Sequence, residues 1–339
     1  RKAVQRQMKA IADKTSFQYF MLDSKQLALK ILSNSIYGFT GFPQALLYVP
    51  AIASTVTAYG RLYLQTASDT VQEMYGTGNV RVLYGDTDSI MVDFSDSLIE
   101  THLPSSTELV RDPAWSDYEY GHRRQVYAVM QLARPLESAI LQKVGIDMKY
   151  EGCKFNFLLT KKKRYAALII EDPLEADHEI KLSGLDVVRR DQPGFVRTDL
   201  RQALERLVQT GNVDDMTSEL VRIAHKICDP TTDLEYYAST VGLNKETYSN
   251  EDAQLAVCIQ KRMQKTMPLQ APQVGDRFKY VIVHGASSKV SHNARHLLEM
   301  RGGNSRERVN IAYYLELFQN KIINIFNTTD TITRRMQAI

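Results

Sequence analysis

Tyr84-Gly85-Asp86-Thr87-Asp88-Ser89 lies between two apolar alternating runs, residues 80–83 and 90–92. Alternation on both sides of a Gly- and Asp-containing turn predicts a β-hairpin with two carboxylates at its tip. Acids one residue apart repel each other unless something neutralises them. A divalent cation does so well, and hard oxygen ligands suit Mg²⁺. Magnesium at a hairpin tip suits phosphoryl transfer. The plainer reading is a polar surface turn, because Gly and Asp favour turns on their own account. The rest of the chain weighs against it.

With 339 residues the chain can form two or three domains, and its ordinary apolar fraction allows sizeable cores. No run of about 18 apolar residues occurs, so no membrane span is expected. The chain opens Arg-Lys-Ala-Val-Gln-Arg-Gln-Met-Lys, without an initiator Met or a signal-peptide stretch, and reads as part of a longer protein. Cys153, Cys228 and Cys258 are far apart and form no C-x-x-C pair, which points to reduced thiols rather than zinc. His292 and His296 are spaced i, i+4; without nearby acids or cysteines they read as a solvated helix face. The net charge of +3 is too small to imply nucleic acid. Its distribution says more: Lys161-Lys162-Lys163-Arg164, Arg189-Arg190, and Arg1, Lys2, Arg6 and Lys9 are clusters that suit phosphate as well as water.

Residues 1–13 read as a basic amphipathic helix. Asp23 with Gln26 resembles a capping box for a helix running to about Gly38, with Gly38, Gly41 and Pro43 as breakers. A third helix is expected over residues 50–74, stopped by the stretch 75–79, and the hairpin follows. Residues 101–121, rich in Ser, Asp, Pro and Gly, read as a surface loop, and residues 123–142 as a helix. Short strands are expected at 147–150, 155–159 and 165–170. Helices follow at 196–210, 213–228 and 252–266, interrupted by one strand at 280–283, with a last helix over 310–326. No internal repeat is present.

Lys30, Asn34 and Tyr37 are spaced i, i+4, i+7 and share one face of the second helix. Leu27, Ile31 and Leu32 supply apolar contacts elsewhere on it. Such a polar face could hold a triphosphate, a sugar and a base edge; it could equally be the watered side of an amphipathic helix.

Taken together these motifs resemble family B DNA polymerases. Lys30-Ile-Leu-Ser-Asn34-Ser35-Ile-Tyr37-Gly38 resembles the family's fingers motif K-x-x-x-N-S-x-Y-G. Tyr84 to Ser89 is identical to its palm motif Y-G-D-T-D-S, and Lys162-Lys163-Arg164-Tyr165 to its K-K-R-Y motif. Gly184 to Asp191, ending Val-Arg-Arg-Asp, resembles the segment that follows. Gly275-Asp276-Arg277 and Tyr313-Tyr314 resemble parts of the thumb. The similarity runs in order over nearly the whole chain. Tyr37-Gly38-Phe39-Thr40-Gly41 is similar to delta-type replicative and to herpesvirus-like enzymes alike.

The resemblance implies an α+β right-hand polymerase fragment: helical fingers (residues 1–45, partial), an antiparallel-sheet palm (46–191, with catalytic hairpin 80–93 and surface loop 101–121) and a mostly helical thumb (192–339). It implies template-directed DNA synthesis with two Mg²⁺ ions. Asp88 would ligate both metals, with Asp86 beside it. Lys30 and Arg1 would meet the phosphates of the incoming nucleotide, with Asn34 close by and Tyr37 against the nascent base pair. Lys162, Lys163, Arg164, Tyr165 and Arg190 would hold the primer and its minor groove, and Glu151 matches an acid near the palm site. Implied partners are primer–template DNA, deoxynucleoside triphosphates and a processivity factor, with no membrane; the implied setting is the nucleus, or a host nucleus for a viral enzyme.

The chain departs from the pattern at Gln5, where the family often has a second basic fingers residue, and at Lys149, where it often has an acid. It also contains no match to the upstream D-x-x-S-L-Y-P motif that carries the other metal-binding aspartate. The isolated chain is therefore expected to be inactive. Two alternatives stand beside this reading: a non-catalytic DNA-binding module derived from a polymerase, and a different two-metal enzyme built on a palm-like hairpin.

Overall fold

The computed structural model describes residues 1–174, 178–301 and 308–326. Parts of the expected palm (175–177) and thumb (302–307 and 327–339) lie outside the described residues. The chain divides into two compact units, Arg1–His102 with Met130–Tyr150, and Leu103–Val129 with Glu151–Ile339.

In the first unit, helix α1 (Lys2–Lys9) is shorter than the sequence suggests. It ends at the cap residue Ala10, and beyond it Asp13 holds a turn by accepting hydrogen bonds from the Thr15 amide and hydroxyl. Helix α2 spans Phe17–Gly41 and is capped by the Ser16 hydroxyl, which accepts from the Tyr19 amide. The expected cap at Asp23 is thus corrected: Asp23 lies inside the helix and accepts from Gln26 Nε2 at 3.0 Å. Gly38 does not break α2 either; a glycine in a helix costs only about 1 kcal/mol. Helix α3 (Pro50–Tyr75) starts on a proline at its first turn, where no amide is needed, and stops at Gly76. Strands β1 (Val80–Asp86) and β2 (Ser89–Phe94) form the expected hairpin, and α4 (Asp96–Glu100) follows it.

Helix α5 (Asp117–Val144) contributes its first part to the second unit and its last part to the first. It begins six residues earlier than expected, where the Ser116 hydroxyl accepts from the Glu119 amide. The stretch before it is only partly a surface loop, since Leu109 is buried. In the first unit, Ala67 and Val71 of α3 pack with Val80 of β1 and with Leu136 and Ile140 of α5. Residues 147–150 are not a strand. The Tyr150 amide donates instead to the Glu137 carboxylate at 2.6 Å.

The second unit holds the larger core. Strands β3 (Cys153–Lys161), β4 (Arg164–Ile170) and β5 (Glu179–Ser183) form an antiparallel sheet in that order. A π-type turn (Val196–Leu200) leads into α6 (Arg201–Thr210), and α7 (Val213–Cys228) is capped by Asn212. After the short α8 (Leu234–Tyr237) comes β6 (Ser239–Gly242), then α9 (Leu255–Thr266), β7 (Arg277–Ile282) and β8 (Ala294–His296). The one strand expected here is therefore the middle of a three-stranded sheet, β6–β7–β8. Helices α10 (Leu297–Arg301) and α11 (Ile311–Phe326) complete the described chain.

Phe195 sits at the centre of this core, with its ring against Tyr236, Tyr314 and Phe318. His292 and His296 do not share a helix face: the first lies in a 3₁₀ turn and the second ends β8, its ring 5.3 Å from that of Phe278. Burial holds His296 below the usual histidine pKa, Glu299 partly offsetting it.

Candidate active site

The hairpin is tight. Asp86 pairs with Ser89, leaving Thr87 and Asp88 as a two-residue turn. Thr87 takes a left-handed φ of 56°, a position where a β-branched residue is strained. Its hydroxyl donates to Asp86 Oδ1 at 3.0 Å. Asp86 is half-buried at the end of β1 and Asp88 is exposed at the tip. A β-bulge between Val82 and Tyr84 lies just below them. Bulges raise local twist and re-aim the residues beyond them.

Two oxygen-donor carboxylates at one tip suit a hard divalent cation such as Mg²⁺. Among the described residues no group of three or more His, Cys, Asp or Glu is placed to hold a metal ion. The donor set at the tip thus fits part of a metal site.

In the same unit, Lys30, Asn34 and Tyr37 all lie on α2 and all are exposed. Leu27, Ile31 and Leu32 were expected to make apolar contacts. They are exposed too, and α2 buries none of its residues. Arg1 precedes α1 and donates through Nε to Gln26 on α2 at 3.2 Å. Gln5, where a cation is often found, is half-buried, and Arg6 beside it is exposed.

The other expected residues belong to the second unit. Lys162 and Lys163 are the turn of the β3–β4 hairpin, between paired Lys161 and Arg164, and Lys163 has a φ of 63°. The Tyr165 ring lies 5.7 Å from that of Phe157. Arg190 is exposed, while Arg189 forms a two-point contact with Asp191 at 3.1 and 2.6 Å. That contact holds the Asp191 carboxyl below its usual pKa against the opposing effect of burial. Glu151 is exposed; burial lowers the pKa of Lys154 and Glu151 partly restores it.

Two charged networks in this unit lie outside the expected site residues. Asp199 accepts from Tyr236, Lys226 and Thr198. Asp186 pairs with Lys321 at 2.7 Å. The second had a signal. Lys321 lies seven residues after Tyr314 and one before Ile322, inside the apolar stripe of α11, where a cation needs an acid.

The described helices and antiparallel sheets are similar to those of a solved right-hand polymerase, the family B DNA polymerase of Pyrobaculum calidifontis. The match has a TM-score of 0.59 and 22% identity, over 96% of this chain and 36% of that one. At that identity the likeness is one of fold. The profile of DNA polymerase family B matches residues 1–112 and 121–329, and the chain belongs to that family. Within it the chain is delta-like. It is 30% identical to the DNA polymerase delta catalytic subunit of Candida albicans over 88% of this chain and 26% of that protein. It is 32% identical to the subunit of Oryza sativa subsp. japonica over 80% and 23%. The chain thus spans about a quarter of the length of these relatives. No described helix is long and apolar enough to cross a membrane.

Proposed function

We propose that this chain carries part of the fingers (1–45), the palm (46–191) and the thumb (192–339) of a DNA-directed DNA polymerase working on primer–template DNA. The observation that carries the proposal is the hairpin tip, where Asp86 and the exposed Asp88 flank a strained Thr87. Asp88 and Asp86 would hold Mg²⁺. Two such ions, when bound, lower the pKa of a primer hydroxyl and stabilise a leaving oxygen.

The remaining residues position and neutralise. Lys30 is an exposed point charge for the triphosphate, and Arg1 adds a second cation in the same unit. Asn34 and Tyr37, on the same face of α2 as Lys30, meet the nucleotide beside them. In the second unit, Lys162, Lys163, Arg164, Tyr165 and Arg190 grip the primer backbone without reading sequence. Glu151 is a supporting acid. Delta-type relatives favour a nuclear setting and a processivity factor as partner. The missing D-x-x-S-L-Y-P motif means that the isolated chain should not extend primers.

Single-nucleotide incorporation with Mg²⁺ on a primed template tests the reading. It compares the polypeptide that joins this chain to its D-x-x-S-L-Y-P segment with the Asp88→Ala variant. Templated extension lost in the variant, with DNA binding retained, is the expected result. Tight binding without extension by the unsubstituted protein would instead identify a non-catalytic DNA-binding module.

A further inference from the structure

Two basic segments of the second unit meet through a glycine. Gly184 follows β5 with a φ of 60°. A Cβ there would lie 2.2 Å from the Lys163 carbonyl oxygen, so only glycine lets the chain lie directly on the Lys162–Lys163 turn. The next residues form a 3₁₀ turn, Asp186–Val188, whose Val187 is buried. The Arg189 amide donates to the Asp186 carbonyl at 3.0 Å, so the place of Asp186 sets where Arg189 and Arg190 begin.

Asp186 is itself anchored from far along the chain. Lys321 Nζ, 135 residues away on α11, donates to Asp186 Oδ2 at 2.7 Å. The two side chains are only 14% and 18% exposed, so neither is disposed to grip a nucleic acid directly. A pair so enclosed fixes geometry more than it adds stability.

We propose that Asp186 and Lys321 form a positioning pair. It holds the Arg189–Arg190 segment beside the Lys162–Lys163 turn, so that cations from both segments contact one nucleic-acid backbone. The proposal rests on the reading above of these cations as primer contacts.

The test measures binding of a fluorescent primer–template duplex across a salt series. Asp186→Asn removes a negative charge, and from charge alone it should tighten binding. As a positioning residue it should weaken binding roughly fivefold or more. Lys321→Gln should weaken it equally, with an unchanged slope of log Kd against log salt; a lysine on a phosphate would lower that slope by about one. The double variant should lose no more than either single one, and Lys321→Arg should restore wild-type binding. Lys226→Gln breaks another ion pair of the unit, to Asp199, and should leave affinity unchanged, which separates positioning from general destabilisation. If Asp186→Asn does not fold, the exchanged pair Asp186→Lys with Lys321→Asp is read in its place, and recovered binding supports the proposal. Binding by Asp186→Asn as tight as wild type overturns it, provided Arg190→Ala and Lys162→Ala weaken binding. If those two variants bind normally, the primer-contact reading itself fails and takes the positioning pair with it.

Discussion

The Tyr236 hydroxyl donates to Asp199 Oδ2 across 2.9 Å, within the core of the second unit. The same oxygen accepts from Lys226 Nζ at 3.1 Å, and that ammonium also lies 4.3 Å from the Tyr236 ring centroid. A buried carboxylate is thereby satisfied from several directions. Asp199→Ala should leave the phenol without its acceptor and cost about 2 kcal/mol. Urea denaturation of the variant measures it.

The pH dependence of stability follows from Asp199 at the acid end and from a second, half-buried group, Tyr280, at the alkaline end. Burial raises the pKa of Asp199, but the bonds from Lys226, Tyr236 and Thr198 outweigh it and leave the carboxyl below its ordinary value. A lowered folded pKa contributes stability above the unfolded value of about 3.9, and that contribution is lost as pH falls through the folded value. At the alkaline end, burial pushes the Tyr280 phenol up to about 12. Its contribution is complete below the unfolded value of about 10 and is lost as pH rises through the folded one. The thermal unfolding midpoint should therefore drop below pH 4 and again above pH 10, and Tyr280→Phe should soften the alkaline drop.

Gly85 stands in β1 opposite Ile90, where an added Cβ would find its nearest neighbour, the Ser89 carbonyl, at an ordinary 3.7 Å. Nothing within the hairpin demands glycine there. A bare strand position beside two acids suits close approach of a ligand. Gly85→Ala should change hairpin stability by no more than about 0.5 kcal/mol. It should reduce nucleotide incorporation at least tenfold, a loss of about 1.4 kcal/mol in transition-state stabilisation. Equal loss of stability and activity would count against this.

Lys30→Ala should raise the Kd for the incoming nucleotide by roughly ten- to a hundredfold, as expected for a lost hydrogen bond to a charged group. Primer–template affinity should stay unchanged. Pre-steady-state incorporation across nucleotide concentrations separates the two.

Gly194 faces backbone only: a Cβ would fall 2.3 Å from the Glu235 carbonyl oxygen and 2.9 Å from that of Tyr236. Gly194→Ala must push α8 away from Phe195 at the centre of the core. It should destabilise the second unit by about 2 kcal/mol or more, seen in denaturant midpoints.

Local patterns told most where local energetics decide the outcome. The hairpin, α3, α7 and α11 could be read from alternation, a first-turn proline and helical periodicity, each within about two residues. At the start of α2 two polar pairs compete for the cap, and Ser16, tied to the Asp13 turn, takes the role from Asp23. Strands β5, β6 and β8 have only three to five residues, too few for a period to stand out, and β6 also finds its partner β7 more than thirty residues further on. The hairpin that carries Asp86 and Asp88 and the helix that carries Lys30 follow from local sequence pattern. Asp199 and the Asp186–Lys321 pair do not, because what makes them matter is burial by distant segments.

Among the described residues α2 has half-buried and exposed side chains but no fully buried one, so its backbone ladder carries a larger share of its order than in α7 or α11. Any ligand held by Lys30 and Asn34 must then bear part of the entropy of keeping those turns wound. Affinity becomes adjustable from positions that never meet the ligand. Ser33, whose hydroxyl bonds back to the Leu29 carbonyl, is one: on the proposed role of Lys30 and Asn34, replacing it with a stronger helix former should tighten nucleotide binding by pre-winding the helix.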